Sequence, residues 1–150
     1  MDNERVREFC LALPHAAETL NWGNCLVYWA GDRDLGGKMF AITNADGGTP
    51  VLSFHCGVER FHELQETEGI IPAPHLFRAH WVALESWDVL PSRRIEEELR
   101  LAHALILEKL PKKTKTVLAL PKKEQAEILR EKRRQLKATG KEHSSEAFGR

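Results

Sequence analysis

The chain contains no apolar run approaching the ~20 residues that cross a bilayer, so neither a membrane-spanning helix nor a membrane partner is expected. Cysteine is scarce too. Cys10, Cys25 and Cys56 are an odd number with no C-x-x-C spacing, which argues against a disulfide framework and against a zinc cage. The opening MDNERVREFC has acids where a secretory signal would have a basic end followed by an apolar stretch. The cytoplasm is therefore the expected compartment, and the thiols are expected to be reduced.

Net charge is the third absence, with 22 Lys+Arg against 22 Asp+Glu, but the balance hides a split. Residues 1–108 hold 9 basic and 17 acidic side chains, a difference of −8, and residues 109–150 hold 13 and 5, a difference of +8. An acidic body with a basic tail implies a tail that reaches an anionic partner or one that lies back on its own body. The 150 residues, 42% hydrophobic and 29% charged, suit one ordinary core, expected to belong to a monomer.

Along the chain the apolar period changes several times. Val6, Phe9, Cys10 and Leu13 fall on one side of a helix over residues 3–13, capped by Asp2 or Asn3 and ended by Pro14. Residues 19–22, CLVYWA, KMFAIT and PVLSFHC read as four strands of an antiparallel meander, separated by Gly-containing turns. In GDRDLGG, Gly36 and Gly37 are expected to supply the positive φ of a turn, and Lys38 to start a strand at the sheet's rim. Val58, Phe61, Leu64 and Gln65 indicate a short helix, IIPAPHLFRA an ordered loop, and HWVALES a final strand. Ser92 is expected to cap a long helix over residues 92–110, whose stripe is Ile95, Leu99, Ala102, Leu105, Ile106 and Leu110.

Pro111 is expected to end the folded body, which divides the chain into a domain at residues 1–111 and a basic tail at 112–150. In the tail, KKTKTVLALP reads as a linker, and KKEQAEILREKRRQLKA as a marginal helix with Ala126, Leu129 and Leu136 as a thin stripe. The last residues, TGKEHSSEAFGR, have too few apolar groups to offset the entropy of ordering and read as disordered.

No catalytic or metal constellation rises above chance. HELQE at His62 has Glu66 where H-E-x-x-H needs its second histidine, so no metal and no cofactor are expected. Cys56 precedes a helix start, which favours a thiolate. Its neighbour His55 points to the opposite face of a strand, however, and a small buried residue is the favoured reading. GGK followed by a strand is not a phosphate loop. Trp22, Trp29, Trp81 and Trp87 either fill the core and sheet edges or form stacking platforms for bases, and the core reading is favoured.

In sequence order, LPHAAETLNWGNCLVYWAGDRDLGGKMFAIT, GIIPAPHLFRAHWVALES and LEKLPKK resemble the MmcQ/YjbR family over residues 6–113. The positions that match the family pattern are Trp22, Gly23, Lys38, Phe40, Pro72, Trp81 and Val82, mostly framework types. The resemblance implies a compact α+β fold related to frataxin-like and secretion-chaperone-like sheets. It also implies DNA binding through a double-wing motif, and no enzymatic activity is established for the family as a whole. The chain departs from the pattern in its long helix, where Ala102-His103 replaces a serine-tyrosine pair.

The combined expectation is an α+β domain, a twisted antiparallel sheet packed by helices, acting as a non-catalytic binding protein of nucleic acid. The cations assigned to phosphate contact are Lys112, Lys113, Lys115, Lys122, Lys123, Arg130, Arg133, Arg134 and Lys137, with Lys132 among them in sequence. On a helix Arg130, Arg133, Arg134 and Lys137 share one face. The alternatives are a protein-interaction or small-ligand module and, third, a thiol enzyme using Cys56.

Overall fold

Asp2 caps the first helix, α1 (Asn3–Leu11), its side chain accepting from the Arg5 amide, and the helix buries Val6 and Cys10. The structure, a computed structural model, describes residues 1–140. The expected disorder beyond residue 140 falls outside the described residues.

Six strands follow, β1 (Ala16–Asn21), β2 (Cys25–Ala30), β3 (Lys38–Asn44), β4 (Leu52–His55), β5 (Ile70–Pro72) and β6 (Trp81–Leu84). They form one antiparallel sheet in the order β1-β2-β3-β4-β6-β5. Helix α2 (Val58–Leu64) lies between β4 and β5. The α+β class is as expected, but the sheet is larger than a four-strand meander with one late strand. Ile70–Pro72, read as loop because of its prolines, pairs with β6 on the sheet edge. An edge strand tolerates Pro72 because proline lacks only the N–H that an edge need not donate.

Helix α3 (Ser92–Lys109) crosses one face of the sheet and, with α1, closes the main core around Tyr28, Phe40, Leu52, Phe54, Val82 and Leu84. Each such fully buried large apolar side chain contributes roughly 1.5–3 kcal/mol over its exposed state. Ile95, Leu99, Ala102 and Ile106 are the expected stripe; Glu98 and His103 are buried beside it. Ser92 is the first helical residue and not the cap, which is Pro91 with no side-chain bond. The His103 Nε2 lies 2.7 Å from the Pro14 carbonyl and the ring stands edge-on to Phe40, so the departure at Ala102-His103 ties α3 to the end of α1. The opposite face is sealed by Val27, Trp29, Met39, Ile42, Trp81 and Ala83, with Ala73 and Leu76 packed from the loop before β6.

Two turns depend on unusual backbone. Trp22 has φ 53° and Gly23 φ 82°, so the Trp-Gly pair makes the β1–β2 connection in the left-handed region. Of the double glycine only Gly36 has positive φ, at 93°. Gly37 is required by close approach instead, since a Cβ there would sit 1.9 Å from the Gly31 carbonyl oxygen.

The stretch expected to be a linker is helix α4 (Lys112–Leu118), followed by α5 (Lys122–Ala138). Leu118 is 6% exposed and joins the main core, and Thr114 is buried against Gly36. Apolar packing thus continues past Pro111, because Leu118 is a single deep contact that no stripe announces.

Candidate nucleic-acid interface

The cations singled out from the sequence lie on α4 and α5. Lys112, Lys113, Lys115, Lys122, Lys123, Arg130, Lys132, Arg133, Arg134 and Lys137 are all exposed, and their side chains divide by what they touch. Arg133 turns to the body, its Nη2 3.0 Å from Asp32 Oδ2 and its Nε 2.9 Å from Asp34 Oδ2. Asp34 is the middle residue of the 3₁₀ turn Arg33–Leu35, and Asp32 caps that turn through the Asp34 amide. Both carboxylates hold Arg133 charged and raise its already high pKa. Arg134 pairs with Glu131 on its own helix, and Lys115 lies 3.9 Å from Glu108.

At about 100° per residue, Lys123, Arg130, Arg134 and Lys137 fall within an arc of about 60° on α5. Arg133 lies nearer the docked side, where Ala126, Leu129 and Leu136 line the space between helix and body. The stripe read from sequence is therefore shifted: Arg133 serves as the anchor, and Lys123 extends the outward row. Gln125 stabilises the helix start, its Nε2 donating to the Leu118 and Leu120 carbonyls at 3.1 and 2.7 Å. The acidic anchor points on the body were missed from sequence, although Asp32 and Asp34 have the two-residue spacing that lets both reach one guanidinium.

The family-pattern residues sit elsewhere. Phe40 and Val82 are fully buried, Trp81 is 3% exposed, Trp22 is half-buried, and Lys38, Gly23 and Pro72 are exposed. Trp29 is also buried, and its Nε1 donates to Thr19 Oγ1 at 2.8 Å, so neither Trp29 nor Trp81 offers a face for base stacking.

Cys56 is buried, and its Sγ contacts the His80 carbonyl at 3.2 Å. Burial pushes its thiol up to about 11 and outweighs the opposing pull of Arg60. Desolvation penalises the thiolate and overrides the activation a helix start would give, in line with the favoured reading of a small buried residue. Close by is a feature that the sequence reading missed: Glu98, buried on α3, is gripped by Arg60 and Arg94. Among the described residues no group of three or more His, Cys, Asp or Glu side chains is placed to hold a metal ion, and no helix is long and apolar enough to cross a membrane.

No curated protein matches the chain. The crystal structure of Deinococcus radiodurans protein DR2400, with a domain of the family model DUF419, is similar at 30% identity and a TM-score of 0.69. The similarity covers 80% of this chain and 89% of that one. The YjbR family model matches residues 11–105, from the end of α1 to the last turns of α3, which takes in the whole sheet. With the sheet, the Trp-Gly turn and most of the long helix inside that match, the chain belongs to the YjbR family.

Proposed function

We propose that the chain is a non-catalytic binding protein whose C-terminal helices contact the phosphates of nucleic acid without reading base sequence. The observation that carries this reading is the state of the helix cations. Among the described residues Lys112, Lys113, Lys122, Lys123, Arg130, Lys132 and Lys137 are exposed and hold no ion pair. Phosphate neutralisation with counterion release is what such a row supplies, and it is indifferent to sequence.

The hairpin tips support a smaller role for the body. Asp46 stands at the β3–β4 turn beside Asn24, and Asp32 and Asp34 stand at the β2–β3 turn. Arg133 offsets Asp32 and Asp34, whereas Asp46 forms no ion pair among the described residues and repels a polyanion, so the helices and not the β3–β4 wing supply the attraction. Cys56, the nucleophile of the thiol-enzyme alternative, is buried with a raised pKa, which counts against that alternative.

The test is fluorescence anisotropy with labelled duplex and single-stranded oligonucleotides. For about six neutralised phosphates, affinity falls roughly 10³-fold between 50 and 200 mM salt. The triple variant Lys123→Gln, Arg130→Gln, Lys137→Gln flattens that slope by about half, while Arg133 keeps the helix on the body. Absence of binding at 50 mM salt, or a triple variant with the wild-type slope, transfers the assignment to a protein-interaction module.

A further inference from the structure

We propose that the cleft between the turn Arg33–Leu35 and the last two turns of α5 is a binding site for a phosphate group. The cleft measures about 470 Å³ and is lined by Arg33, Asp34, Lys132, Gln135, Leu136 and Thr139. One wall belongs to the body and the other to the C-terminal helix.

Arg33 is the anchor. Its guanidinium lies over the Trp29 ring at 5.5 Å from the centroid, and its Nε and Nη1 are shielded from solvent with no hydrogen-bond partner among the described residues. An aromatic face attracts the cation but accepts none of these in-plane N–H bonds. Buried charged donors without acceptors are costly, and an anion in the cleft beside the guanidinium offsets part of that cost through its charge.

The nearby carboxylates are engaged, because Asp32 and Asp34 both bind Arg133 from the helix side. Lys132 lines the same cleft, is exposed and carries no ion pair among the described residues. Arg33, Lys132 and Arg133 against Asp32 and Asp34 leave one positive charge. The Gln135 amide spends one N–H on Glu131 at 3.3 Å and has a second to offer. A planar guanidinium, a point-charge ammonium and an amide suit the several acceptor oxygens of a tetrahedral oxyanion better than a neutral ligand. The site is separate from the outward stripe of α5, and a ligand in it bridges helix and body.

The experiment titrates the full chain with inorganic phosphate, replacing chloride to hold ionic strength constant, and follows the Trp29 indole N–H by NMR. Saturable binding is expected, weakened about tenfold by Arg33→Gln and about tenfold by Lys132→Gln, and unchanged by Lys123→Gln on the outward stripe. Lys132→Gln alters only an exposed helix position, so it carries the test even where Arg33→Gln disturbs the Trp29 contact. Competition by an oligonucleotide lacking terminal phosphates assigns the site to a nucleic-acid backbone; competition only by a nucleoside monophosphate assigns it to a small phosphate ester. Either result upholds the site. A linear response without saturation, or equal weakening by Lys123→Gln and Lys132→Gln, overturns it. Salt-steep oligonucleotide binding through the outward stripe is judged separately, by the triple variant above.

Discussion

Arg60 places Nη1 and Nη2 at 2.7 and 2.6 Å from the two carboxylate oxygens of Glu98, a residue only 3% exposed. This fork joins α2 to α3 across the end of the sheet, and Arg94 adds a contact at 3.1 Å from one turn below. Arg60→Ala leaves a buried carboxylate with one partner in place of two, and is expected to cost about 3 kcal/mol. Glu98→Gln with Arg60 intact is expected to cost less, because the amide still accepts one hydrogen bond. Urea unfolding of both variants checks the order, and equal losses would mean that the carboxylate charge itself carries the stability.

Leu118 reaches the main core from α4, beyond the position where helical periodicity ends. Leu118→Ala is expected to cost about 2–4 kcal/mol. Truncation after Pro111 is expected to lower the thermal midpoint by more than about 5 °C, since a loss of that size exceeds 1 to 2 kcal/mol. A truncated chain with the full-length midpoint would show that residues 1–111 stand alone.

His55 is buried opposite Trp81, and burial, with Lys109 and His80 nearby, pushes its pKa down to about 4, which the Ala79 backbone only partly offsets. His103 shifts in the same direction, again chiefly through burial. Both rings stay neutral in the folded chain at pH values where the unfolded chain takes up protons. Stability is therefore full above the ordinary histidine pKa of about 6.5 and falls as pH drops from there towards 4, by on the order of 3 kcal/mol for His55. His55→Leu is expected to flatten the slope measured by urea unfolding at pH 7 and pH 5. An unchanged slope would assign the acid sensitivity to other groups.

Much of the fold was legible along the chain because its signals are local. The period of α1 and α3, the β-branched and aromatic strands and the Gly-containing turns each depend on neighbours within a few residues. Sheet order was not legible. The pairing of β4 with β6 and the capture of Ile70–Pro72 as an edge strand join segments separated by a helix or a loop. The cationic helix was readable as a charge run, and its outward row could be approximated from helical spacing alone. Arg133 was misplaced in that row because its direction depends on Asp32 and Asp34, about a hundred residues earlier.

The sequence by itself determined the α+β class, the acidic body and the basic end, since composition and short-range pattern suffice for these, and its ordered motifs carried the resemblance to the family. Only the tertiary structure decided that α4 seals the core, that Glu98 is a buried ion held by two arginines, and that Cys56 is desolvated. It alone brought Arg33, Trp29 and Lys132 to one cleft. Each of these is a meeting of residues distant in the chain, where burial and charge act through space and leave no periodic trace in the order of amino acids.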